Sequence, residues 1–147
     1  MDLAALEALV GKRLPHGHYR ITADKHAKAV AALHAPEYSF DVAHPVYAHL
    51  APHCGMGWGL QEFFDVVGVH MDSGALFGEG DLTYHQPMQV NVDYAIEGHI
   101  ASIIRKSGTT GTFDLVTLHL ELIDKHGELV VTSKETYVFP RKGKDAS

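Results

Sequence analysis

Asp41 and His44 stand three residues apart in a proline-bounded stretch, His34-Ala-Pro-Glu-Tyr-Ser-Phe-Asp-Val-Ala-His-Pro-Val-Tyr-Ala48. A carboxylate that orients an imidazole makes a general base, and this spacing lets the two side chains meet across one turn. The same residues admit a plainer role, with Asp41 capping a short helical turn and His44-Pro45 exposed. Just downstream, Met56, Leu60, Phe63, Phe64 and Val67 fall on one helical stripe, while Gly55, Gly57 and Gly59 crowd its first turn. Each of these glycines costs about 1 kcal/mol against alanine in a helix. In return, another backbone or a ligand can come very close to bare N–H groups. Two expectations follow: close helix–sheet packing, or a helix N-terminus that receives a carbonyl or an anion. In the second, the amides near Gly55 and Met56 are the donors, favoured by the helix dipole, and His53 stands beside them.

The elements that must position these groups fall into two halves. Leu3, Leu6 and Val10 predict a short helix stopped by Gly11, and Tyr19 to Ile21 a short strand. Thr22 is a good N-cap for an alanine-rich helix from Ala23 to His34, ended by Pro36. Residues 35–52 carry Pro36, Pro45 and Pro52 and read as a loop with helical turns, followed by a helix from about His53 to Val67. The second half is strands. Residues 75–86 form the first, and Val90 to Ile104 the second, with Val92, Tyr94, Ile96, Ile100 and Ile104 on one face. Thr112 to Ile123 puts Val116, Leu118, Leu120 and Leu122 on one face, and Asp124 to Gly127 turns the chain into a strand from Leu129 to Phe139. The tail from Arg141 is polar. Helices first and consecutive antiparallel strands after them predict an α+β fold, one sheet wrapped around a central helix. Such a sheet leaves an edge to cover, and dimerisation covers it.

Composition narrows the function classes. The chain has 147 residues, 46% of them hydrophobic and 20% charged, enough for one domain spanning 1–147 with a real core. A net charge of −6 without a basic run argues against nucleic acid as a partner. The single Cys54 excludes an internal disulfide framework. The acidic N-terminus is unlike a signal peptide and no segment reaches membrane-spanning length, so a soluble, cytoplasmic protein with no membrane partner is expected. The 12 histidines include His16, His18 and His70, the last near Asp72, but no HExxH, CxxC or histidine-triad spacing supports a metal site.

Several segments together resemble the MaoC-like dehydratases and hydratases of the hotdog fold. Val10-Gly-Lys-Arg-Leu-Pro15 looks like the opening of their fatty-acid-synthase-type dehydratase domains, and Ile21-Thr-Ala-Asp24 before an alanine-rich helix fits the same group. Leu50-Ala-Pro-His-Cys-Gly-Met56 is similar to the segment entering the central helix. Glu79 to Pro87 resembles the strand before the longest hairpin, and Gly111 to Val131 the last hairpin. The catalytic signature of that family, Asp then Asn-Pro then His before the central helix, is not intact here. With Pro36 to Asp41 in its place, Ser39 stands where the histidine belongs; with His44-Pro45 aligned instead, the aspartate is misplaced.

The resemblance implies an acyl-thioester ligand such as acyl-CoA, no further cofactor, and a hydro-lyase reaction if the chain is active. Hydration of a 2-enoyl thioester needs a base for water and a donor for the thioester oxygen. Asp41 and His44 are the candidate catalytic pair; His53, Gly55 and Met56 are candidate polarising groups. Tyr38 and Tyr47 are candidate donors, and Trp58 and Phe63 candidate walls of an acyl tunnel. The implied assembly is a homodimer, or a heterodimer with another hotdog subunit. Two alternatives remain open: a non-catalytic acyl-CoA-binding subunit of a heteromeric dehydratase, and a thioesterase using Glu62 or Asp65.

Overall fold

A computed structural model describes residues 1–36, 41–109 and 111–141. Five strands form one antiparallel sheet: β1 (Gly17–Arg20), β2 (Leu76–Tyr84), β3 (Asp93–Gly108), β4 (Gly111–Ile123) and β5 (Leu129–Arg141), in the order β1-β3-β4-β5-β2. Four helices accompany them: α1 (Leu3–Glu7), α2 (Ala23–Ala32), α3 (Tyr47–Gly55) and α4 (Leu60–Val66). The α+β architecture is as expected. The cap also holds, for the Thr22 hydroxyl accepts the Lys25 N–H at 3.2 Å.

Sheet and helices share one face. On β4, Val116, Leu118, Leu120 and Leu122 are all fully buried, as their alternation requires. Each such side chain contributes about 1.5–3 kcal/mol of burial, and cutting Leu118 to alanine would cost about 2–5 kcal/mol. β3 departs from strict alternation. Its pairing with β4 slips between Ile100 and Ser102, and the extra residue turns Ile103 inward while Ile104 is half exposed. The expected inward Ile104 is therefore corrected to Ile103, because a bulge reverses every side chain after it.

The central helix also differs from expectation. α3 begins at Tyr47, continues through Pro52 and stops at Gly55, and α4 starts afresh at Leu60. α3 packs against β1, β2, β4 and β5, with Ala48 and Ala51 fully buried, so it is the helix that lies across the sheet. The glycines explain the break. A Cβ on Gly55 would lie 2.5 Å from Ile96 Cδ1 and 2.8 Å from the His18 carbonyl oxygen. A Cβ on Gly57 would fall on the Pro15 carbonyl. The glycine run lets the end of α3 touch the backbone leading into β1, so close packing is its role.

The edge strand β2 is unlike the rest. Among the described residues it pairs only with β5, and all nine of its residues are exposed, including Leu76, Phe77, Leu82 and Tyr84.

Candidate functional site

The polar chemistry gathers along the seam between α3 and β2. At its upper end His44 precedes the helix. The Val46 N–H donates to His44 Nδ1 at 3.0 Å, and the His44 N–H donates to Nε2 of buried His26, also at 3.0 Å. The first bond fixes the neutral ring: Nδ1 offers its lone pair, so Nε2 carries the proton. His44 thus holds the backbone at the entry to α3, just ahead of Tyr47. Asp41 is exposed, and its carbonyl accepts the Val90 N–H at 3.0 Å. Tyr84, from the end of β2, donates its hydroxyl to the Pro45 carbonyl. His44 and Tyr84 border a cleft of about 440 Å³ whose walls include Val42, Ala43, Pro45, Pro87 and Met88. A volume of that size suits a small organic ligand.

At the lower end stands His53. Its Nδ1 lies 3.0 Å from the Tyr137 hydroxyl and 3.3 Å from Glu135 Oε2. The Tyr137 hydroxyl donates to the same Oε2 at 2.8 Å, and Ser133 Oγ donates to Oε1 at 3.2 Å. Glu135 is fully buried, whereas the His53 side chain is 35% exposed. An ionised carboxylate only accepts, and a phenol has one proton. With that proton on Glu135, the contact between Tyr137 and His53 requires the proton on Nδ1, so in the neutral ring Nε2 keeps its lone pair. The hydrogen bond to Glu135 raises the His53 pKa above its ordinary value, outweighing the opposite pull of burial. Burial, then the charge of Glu135, pushes the Tyr137 phenol far up, so it remains a donor. His49 stacks on His53 with ring centroids 5.8 Å apart, and Phe77 of β2 meets both rings edge-on.

The other expected site residues lie elsewhere. Gly55 ends α3 and the Met56 N–H is bound to the Pro52 carbonyl at 3.0 Å, so this is a helix C-terminus, where the dipole disfavours an anion. The expected N-terminal donor site there is corrected accordingly. Tyr47 is buried between Tyr19 and His26. Trp58 stacks on Phe63 at 6.2 Å inside the apolar core, with Lys12 over its ring. Glu62 accepts the Gly59 N–H at 2.8 Å, and Asp65 accepts from Gln61 at 2.8 Å. Tyr38 and Ser39 lie outside the described residues. Glu135 and Tyr137 were not expected as site residues. Lys134-Glu-Thr-Tyr137 reads as strand, and only an acidic residue on the apolar face of that strand signals something further.

The antiparallel sheet with α3 laid across it defines a hotdog protein. The family described as FAS1-like, dehydratase domain region, matches residues 8–133, and the chain belongs to it. Among solved structures it is similar to a MaoC-like dehydratase at TM-score 0.69 and 23% identity, covering 92% of this chain and 43% of that one. It is also similar to a chain of the ChsH1–ChsH2 complex from Mycobacterium tuberculosis at TM-score 0.65 and 13% identity, with 97% and 92% covered. A chain of the HadBC 3R-hydroxyacyl-ACP dehydratase complex from Mycobacterium tuberculosis gives TM-score 0.64 at 16% identity, with 86% and 92% covered. No curated protein sequence matches the chain. No helix among the described residues is long and apolar enough to cross a membrane.

Proposed function

We propose that this chain binds an acyl thioester, such as acyl-CoA, in the cleft at the start of α3 and serves a hydratase or dehydratase reaction beside a second hotdog subunit. The cleft against an open sheet edge is the observation that carries this reading. Its apolar walls suit an acyl or pantetheine arm, and His44 lines the same cleft. Tyr84 lines the cleft from the end of β2, which among the described residues pairs with β5 alone, so a second subunit against that edge would close it. Family membership and the neighbouring ChsH1–ChsH2 and HadBC complexes support a partner of the same fold.

The non-catalytic alternative draws on His44. A ring whose Nδ1 is spent on a backbone N–H and whose Nε2 already holds a proton cannot accept one. If no other group in the chain acts as a base, the second subunit must. The thioesterase alternative is weaker, because the Glu62 carboxylate caps α4.

Equilibrium binding of butyryl-, octanoyl- and dodecanoyl-CoA tests the reading, with a Val42→Trp variant that fills the cleft. Saturable binding lost in the variant is expected. Binding unaffected by the tryptophan would remove the cleft from the function.

A further inference from the structure

We propose that His53 is a general base, oriented by Glu135 and Tyr137, which activates water for addition to a 2-enoyl thioester lying along the α3–β2 seam. The proposal rests on the acyl-thioester reading above and supplies the base that His44 cannot be.

The cluster costs more than packing alone would warrant. A carboxylate withdrawn fully from water is expensive, and Glu135 is held by three donors, Ser133, Tyr137 and His53. An apolar residue would fill this place in the sheet at lower cost. The outcome of the arrangement is a defined tautomer, with the Nδ1 proton directed at the carboxylate and Nε2 left as an acceptor on the other side of the ring. That is the form a general base needs, and the His53 ring keeps access to solvent. The groups facing it are known from each element: His49 from α3, Glu135 and Tyr137 from β5, and Phe77 from β2. Opposite Glu135 in the β2 register stands Gly80, which places no side chain over the carboxylate.

The position fits the ligand. At 1.5 Å per helical residue, His53 lies roughly 9 Å beyond Tyr47, the first residue of α3. A thioester with one arm in the cleft can extend that far down the seam. In the reaction Nε2 takes a proton from water, the hydroxyl forms its bond to C3, and the C2=C3 π pair shifts to make an enolate on the thioester oxygen. The same Nε2–H then protonates C2 as the enolate collapses. Water is the only co-reactant, and His53 ends as it began.

The test uses the purified protein in its native assembly, with hydration of crotonyl-, octenoyl- and dodecenoyl-CoA measured beside binding of the saturated acyl-CoAs. His53→Gln should lower kcat by about 10²- to 10⁴-fold while leaving binding in place. Glu135→Gln and Tyr137→Phe, as positioning variants, should lower kcat less. Glu135→Gln should also move the acid limb of the kcat/KM profile to lower pH, which a merely structural role would not do. Should Glu135→Gln fail to fold, the partly exposed His53 and the Tyr137→Phe variant carry the test. Unchanged turnover in His53→Gln overturns the assignment. So does a wild-type protein that binds acyl-CoA but hydrates none of the three, and in both cases the binding reading survives. Failure of the wild type to bind any acyl-CoA removes both.

Discussion

The two ends of α3 each carry a histidine held through Nδ1, and they are held in opposite senses. In the neutral rings, His44 accepts a backbone N–H at Nδ1 and carries its proton on Nε2, whereas His53 donates from Nδ1 to a buried carboxylate–phenol pair and carries its lone pair on Nε2. Residue type does not separate them, since both are histidines near a prolyl or carboxylate-bearing segment. The partner at Nδ1 does. A backbone amide leaves the proton on Nε2, while a carboxylate leaves the lone pair there, and the sequence distance to that partner is two residues in one case and 82 in the other.

The contrast can be broken most sharply by exchanging the two losses. His53→Gln should abolish most turnover, by about 10²- to 10⁴-fold, whereas His44→Ala should weaken ligand binding and leave the chemical step largely intact. Equal losses of kcat in both variants would erase the distinction. Stability gives the next effect. Glu135→Ala strands Ser133, Tyr137 and His53 without their acceptor and opens a cavity, and should cost about 3 kcal/mol in denaturant unfolding. His44→Ala removes the acceptor of the Val46 N–H and should cost about 1 kcal/mol. Tyr84→Phe, which removes the hydroxyl bound to the Pro45 carbonyl, should likewise cost about 1 kcal/mol and loosen the cleft more than the His53 end.

A pH scan sharpens the same comparison. The His53 pKa is raised in the folded protein by its bond to Glu135, so the stability from that bond is fully present below the unfolded histidine value, around pH 6.5. It is lost as pH rises through the raised folded value. Glu135→Gln should therefore flatten the fall in stability across neutral pH. Asp114 supplies a control from the far side of the core. Burial would raise its pKa, but hydrogen bonds from Arg105 and Arg141 outweigh that and hold it below the usual carboxylate range. Its contribution is present above the unfolded carboxylate value and lost only as pH falls through the folded one, so neutral pH should not affect it.

Much of the fold was legible because periodicity records burial directly. The leucines of β4 and the Thr22 cap are local patterns, and the structure keeps them. The bulge in β3 was not legible, since one extra residue leaves the composition of the strand unchanged while moving the buried side chain from Ile104 to Ile103. Pro52 misled for a related reason. It marks the end of a loop more often than the interior of a helix, yet α3 runs through it and the glycines end the helix instead. The site was legible only in part. Asp41 and His44 announce themselves by proximity in the chain. His53, Glu135 and Tyr137 come together only when β5 lies beneath α3, and no short-range signal carries that contact.

A base at His53 requires one tautomer, and nitrogen-resolved NMR of the histidine rings reads it at a pH above its raised pKa. His53 is expected as the Nδ1–H form, with His44 as the Nε2–H form in the same spectrum, and the His53 ring should lose its single tautomer in Glu135→Gln. A His53 ring found as the Nε2–H form, or unchanged when Glu135 is replaced, would contradict it.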